Sequence, residues 1–273
     1  MARKMDYNLN GKYIKEFNIC DKGYGQVEGK VVIITGTTAG IGQSVAVRFA
    51  EQRAKVIMTG IEPEVGKQNQ DFINDHGGEA TYINANSFER DEIKAMVAQV
   101  MKKYDRIDTL INSAGYHIGI HFEDATEDQF WQMVDIHGLA YCFTMWEVLP
   151  IMQKQHSGSV INFASKAATR PSGFEPFYCF AKAGILQMSK CLNMEYGPDN
   201  IRINCVSPGA TITDMTQRTD GSFVPGFAEL VNFIPLRRHA VPLDIAKAVV
   251  WLASDESAYV SGLNMNVDGG IVV

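Results

Sequence analysis

From Lys30 onward, short apolar runs alternate with amphipathic segments of helical period. A chain written this way buries both kinds of segment by repeating βαβ units around a parallel sheet. Residues 31–35, 55–59, 80–84, 109–112, 159–164, 201–207 and 264–267 read as seven strands. Residues 93–104, 130–152 and 177–196 read as helices between them. No linker or solenoid-length repeat interrupts the series. The expectation is one doubly wound α/β domain over residues 29–273, with a seven-stranded parallel sheet flanked by helices and an extension at 1–28.

A composition of 46% hydrophobic residues and 24 glycines over 273 positions suits a well-filled core with many tight turns. The formal charge of -6 offers no basic face for nucleic acid or anionic membrane, so a small-molecule partner is expected. Cys20, Cys142, Cys179, Cys191 and Cys205 are scattered, without zinc or disulfide spacing, and no metal is expected. The first 28 residues hold no run resembling a signal peptide, and no later stretch is apolar enough to span a membrane. These features predict a soluble, cytoplasmic protein. Tyr7, Tyr13, Phe17 and Tyr24 in the extension suggest that it docks somewhere, as a strap, lid or arm.

Thr35-Gly36-Thr37-Thr38-Ala39-Gly40-Ile41-Gly42 follows the first strand and opens a helix. In that context glycines let the backbone approach a pyrophosphate and aim a helix N-terminus at its charge. Farther on, Tyr178 precedes Lys182 by one helical turn, on one face. A phenol with a pKa of about 10 needs roughly 4 kcal/mol to reach about 7. An ammonium about 4 Å away supplies roughly that much at an effective dielectric of about 20.

Together these motifs resemble the short-chain dehydrogenase/reductase family over residues 29–273. Asn112-Ser113-Ala114-Gly115 is similar to the family's NNAG element, with serine as its second residue. Pro208 and Gly209, followed by Thr211 and Thr213, resemble the segment that holds the nicotinamide carboxamide. Asp244-Ile245-Ala246 and Val267-Asp268-Gly269-Gly270 match its terminal pattern. The resemblance implies a Rossmann-type fold that binds a dinucleotide through Gly36, Thr38, Gly40, Ile41, Gly42, Asn112, Ala114, Gly115, Tyr178, Lys182 and the Pro208–Thr213 positions above. Glu62, the nearest acid after the second strand, favours NAD(H) and leaves NADP(H) open, since Gly60 stands where NAD-selective members carry aspartate. Asn86 falls where the family touches adenine.

By the same resemblance Ser165 positions the substrate oxygen, Tyr178 exchanges its proton, and Lys182 binds the ribose and depresses the Tyr178 pKa. His137 replaces the asparagine that holds a relay water, and a histidine there would make the relay sensitive to pH near neutrality; otherwise it fills space beside Gly138. Tyr116, His117, Thr169, Phe174 and Phe177 would line the pocket mouth. Residues 215–235, with Phe223, Phe227 and Phe233, would form an aromatic lid, or those aromatics would be subunit contacts or core. The implied reaction interconverts a secondary alcohol and a ketone on a bulky apolar substrate such as a hydroxysteroid or bile acid. A 3-oxoacyl thioester or a sugar alcohol is the rival, and a non-catalytic dinucleotide sensor is the reading from another class. The four-residue Tyr178–Lys182 interval counts against enoyl-thioester reduction. Family members assemble as homotetramers or homodimers, and the 270–273 tail suits burial at such an interface or against its own domain.

Overall fold

The computed structural model describes residues 17–171 and 173–272. Strands β1 (Val31–Thr35), β2 (Lys55–Gly60), β3 (Glu79–Asn84), β4 (Thr109–Asn112), β5 (Gly158–Phe163), β6 (Ile201–Pro208) and β7 (Asn264–Val267) form one parallel sheet. Its order is β3-β2-β1-β4-β5-β6-β7. All five β1 residues are buried, as a strand covered on both faces requires.

Helices α1 (Gly40–Glu51), α2 (Pro63–Asp75), α3 (Arg90–Tyr104), α4 (Glu127–Val134), α5 (Ala140–Gln155), α6 (Pro176–Tyr196) and α7 (Pro242–Ala253) cover the sheet. Val45, Phe49, Ile245 and Val249 from α1 and α7 pack on one face. Met96, Tyr141, Val148 and Ile185 from α3, α5 and α6 pack on the other. Strand order turns back between β1 and β4, and in doubly wound sheets ligands bind in the crevice beyond the strand ends at that switch point.

The helix expected over 130–152 is not continuous. It begins earlier, where Thr126 and Gln129 cap one another, and a π-helical turn at Asp135–Leu139 separates α4 from α5. Such a turn lets a helix continue while re-aiming a side chain, here the buried His137. The described part of the extension, residues 17–28, docks on its own domain: Phe17 meets Phe72 and His76 edge-on, both at 5.9 Å. Arg53 Nε donates to the Cys20 carbonyl at 2.6 Å. Tyr24 is 81% exposed and takes no part, while Tyr7 and Tyr13 lie outside the described residues.

Candidate active site

The turn between β1 and α1 has no room for a side chain at Gly36 or Gly42. A Cβ on Gly42 would lie 2.1 Å from the Gly36 carbonyl oxygen. Gly36, at φ +71, would carry one 2.7 Å from the Ala114 Cα. Thr35 Oγ1 accepts the Ser113 and Ala114 N–H groups, both at 3.1 Å, and the Ser113 hydroxyl donates back to the Thr35 carbonyl. Asn69 on α2 donates to the Thr37 carbonyl at 3.0 Å and accepts from Gln43 at 3.1 Å. At the α1 amino end Ala39 caps nothing with its side chain and no acid occupies the first turn. A glycine cradle facing uncapped N–H groups fits a pyrophosphate.

The other cofactor positions surround that cradle unevenly. Thr213, buried, lies with its methyl 3.6 Å from where a Gly40 Cβ would be, so the segment after β6 approaches the turn. Thr211 is buried too, and its hydroxyl donates to the Gly209 carbonyl at 3.1 Å. Pro208 ends β6, and Gly209 lies against Asp268, whose Cα is 2.7 Å from a Gly209 Cβ position. Glu62 is exposed at the start of α2, with the Thr38 methyl crowding Gly60 behind it. Asn86 follows β3, its side-chain oxygen accepting the Phe88 N–H at 3.1 Å. Asn112 turns inward: its amide donates to Asn162 at 2.9 Å and its oxygen accepts from Thr144 at 2.6 Å. Its side chain therefore braces β4 against β5 and α5 beneath the cleft.

Ser165 follows β5; its hydroxyl accepts the Ala167 N–H at 3.1 Å and lies near enough to the phenol of Tyr178 on α6 to favour the phenolate. Lys182, one turn later, is buried. Its Nζ donates to the Phe163 carbonyl at 2.6 Å and to Tyr141 Oη at 3.4 Å, and stands 5.7 Å from the Tyr178 ring centroid. Ser165, Tyr178 and Lys182 thus meet at the β5 end of the sheet, beside the glycine cradle's loop.

The expected lowering of Tyr178 is not what the protein's own groups produce. Loss of water around the phenol pushes its pKa up to about 12, against the Ser165 hydroxyl, which favours the phenolate. Burial also draws Lys182 down to about 7, so its charge is weakest where it would be needed. His137 likewise departs from expectation. Its Nε2 donates to the Tyr116 carbonyl at 2.6 Å, its ring meets Tyr178 edge-on at 5.1 Å, and its Nδ1 is buried without a partner among the described residues. Burial, then the nearby Lys182, hold it well below the ordinary histidine range, so it is neutral near pH 7 rather than titrating there. Gly115 must be glycine for this ring to fit, since a Cβ would lie 2.2 Å from His137 Cε1.

At the mouth, His117 meets the Tyr178 ring edge-on at 4.9 Å and bonds Glu175 through Nε2 at 2.8 Å. Phe122 and Phe130 pack on Phe177, while Tyr116, Thr169 and Phe174 are exposed. In the 215–235 connection the core alternative holds for Phe227. Phe227 is buried with Ala210, Ile234 and Ile271, and stacks on His239 at 4.4 Å; Phe223 packs beside it. Phe233 is 67% exposed. Ile271 is thus tucked against its own domain, its carbonyl held by Arg170. Sequence reasoning missed Asn69, Tyr141 and Glu175, which are legible only as partners of site residues.

Comparison with known proteins decides the family. The family model described as Enoyl-(Acyl carrier protein) reductase matches residues 36–272. The chain belongs to the short-chain dehydrogenase/reductase family. It is 34% identical to the 3-oxoacyl-[acyl-carrier-protein] reductase FabG of Chlamydia trachomatis, over 90% of this chain and 99% of that one. The Thermotoga maritima FabG is 33% identical over 91% and 100%. The crystal structure of levodione reductase superposes with a TM-score of 0.83 at 28% identity, covering 89% of this chain and 97% of that one. This short-chain dehydrogenase/reductase is an oxidoreductase of the alcohol and ketone type, from a family that binds NAD(P). Among the described residues, no helix is long and apolar enough to cross a membrane.

Proposed function

We propose that the protein interconverts a secondary alcohol and a ketone, with Ser165, Tyr178 and Lys182 as its working residues and NAD(H) favoured over NADP(H) by Glu62. The carrying observation is that Tyr178 and the buried Lys182, one turn apart on α6, meet Ser165 at the β5 strand end. Ser165 orients the substrate oxygen. Tyr178, protonated at neutral pH, donates to that oxygen in reduction and takes the proton back in oxidation. Lys182, steadied by Phe163 and Tyr141, holds the nicotinamide ribose. The dinucleotide supplies or accepts the hydride when bound. His137 offers Nδ1 to a relay water. This last role rests on its unpartnered lone pair, since buried acceptors find a donor in protein or water.

Phe122, Phe174 and Phe177 at the mouth favour a bulky substrate of the hydroxysteroid or bile-acid kind. A 3-oxoacyl thioester is the second reading, supported by the likeness to the two FabG enzymes. Exposed Trp146, Phe180 and Met194 on α5 and α6 support a homotetramer or homodimer, and the composition supports a cytoplasmic setting. The test is consumption or formation of reduced nicotinamide with each cofactor against hydroxysteroids, bile acids, sugar alcohols and 3-oxoacyl thioesters. Turnover of one class is expected. Cofactor binding without turnover of any alcohol or ketone would favour the sensor reading.

A further inference from the structure

Lys166, Glu175 and His117 form a polar cluster at the mouth of the site that proton exchange by Tyr178 does not use. Glu175 bonds His117 at 2.8 Å through one carboxylate oxygen, and its other oxygen lies 3.7 Å from Lys166 Nζ. Their side chains are 32%, 12% and 18% exposed for His117, Glu175 and Lys166, so the cluster is mostly withdrawn from water. An ionised carboxylate only accepts, so a neutral His117 ring carries its proton on Nε2 and leaves Nδ1 as a lone pair. Nothing among the described residues donates to that nitrogen. Because the His117 ring rests edge-on against Tyr178 at 4.9 Å, a molecule whose reacting oxygen meets Tyr178 also lies within reach of His117.

We infer that His117, held by Glu175, is a specificity residue that accepts a hydrogen bond from a second oxygen of the substrate, a hydroxyl close to the reacting carbon. A lone pair discriminates between a hydroxyl, which donates to it, and a methylene, which does not. Covering a Lys–Glu–His cluster with purely apolar surface would strip its water and return no hydrogen bond. Hydroxyketones and diols therefore suit this mouth better than simple ketones and alcohols. The inference rests on the alcohol–ketone reading above.

Its test measures kcat/KM for 2-hydroxycyclohexanone and cyclohexanone with reduced dinucleotide. The wild-type protein, His117→Phe, His117→Gln and Glu175→Gln are compared after thermal melting has established that each is folded. The wild type is expected to prefer the hydroxyketone at least tenfold. His117→Phe should collapse that ratio at least tenfold, mainly through KM, and His117→Gln, whose amide oxygen still accepts, should restore part of it. A wild type without preference, or a ratio within threefold of wild type in His117→Phe, would overturn the inference. Equal reduction of both ketones that disappears in Tyr178→Phe would remove the subsite and keep the reaction. Reduction of neither ketone, nor of any other, would remove both.

Discussion

Lys182 donates to the carbonyl oxygen of Phe163 at 2.6 Å, an anchor it shares with Tyr141, whose hydroxyl also bonds that carbonyl. The ammonium is buried there, and its pKa of about 7 lies below the ordinary 10.5. A folded-state pKa lowered this way means that the unfolded chain binds more protons between the two values, so stability rises with pH across that window.

Lys182→Met is therefore expected to stabilise the protein near or below neutral pH by about 0.5–2 kcal/mol while abolishing turnover. Phe163 keeps a donor in Tyr141. The gain should be largest below about pH 7 and shrink toward pH 10, as read from thermal midpoints at several pH values. A variant less stable than wild type across the whole range would contradict a desolvated amine.

His137, neutral and buried, is expected to leave no inflection in the activity profile between about pH 6 and 8. His137→Ala removes both the Tyr116 bond and the Nδ1 acceptor, and a tenfold or greater loss of kcat is expected, with His137→Asn retaining more activity than alanine. A wild-type inflection in that range that vanishes in His137→Asn would contradict the neutral assignment.

Gly42→Ala places a methyl 2.1 Å from the Gly36 carbonyl oxygen, which is backbone and has little room to give. A loss of about 1–3 kcal/mol of stability is expected from such overpacking. Dinucleotide affinity, measured by quenching of protein fluorescence, should fall at least tenfold.

Glu62→Arg exchanges a carboxylate that repels a 2′-phosphate for a cation that attracts one. The ratio of kcat/KM for NAD(H) over NADP(H) is expected to fall at least tenfold. An unchanged ratio would mean that Glu62 is only a solvated loop residue.

The strands were legible because a parallel sheet covered on both faces writes each strand as an apolar run, as in Val31–Thr35. The glycine turn was legible because close backbone approach excludes side chains at Gly36 and Gly42. The π-turn at His137 was not, because helical periodicity passes through one widened turn almost unchanged. The electrostatics of Tyr178 and Lys182 also escaped, since helical spacing gives proximity but not burial, and burial moves the two groups in opposite directions. The choice for Phe227 among lid, subunit contact and core stayed open, because its sequence position does not reveal Ile234 and Ile271 packed on it. His117 and Glu175 lie 58 residues apart, and only the fold brings them together.

On the proposed reading Tyr178 exchanges the proton and does not hold the cofactor site open. Turnover and dinucleotide affinity should be measured side by side in the wild type and in Tyr178→Phe, using whichever ketone the wild type reduces. A loss of about 10²–10⁴-fold in kcat, with affinity within threefold of wild type, is the predicted result. Turnover by Tyr178→Phe within tenfold of wild type would contradict the account.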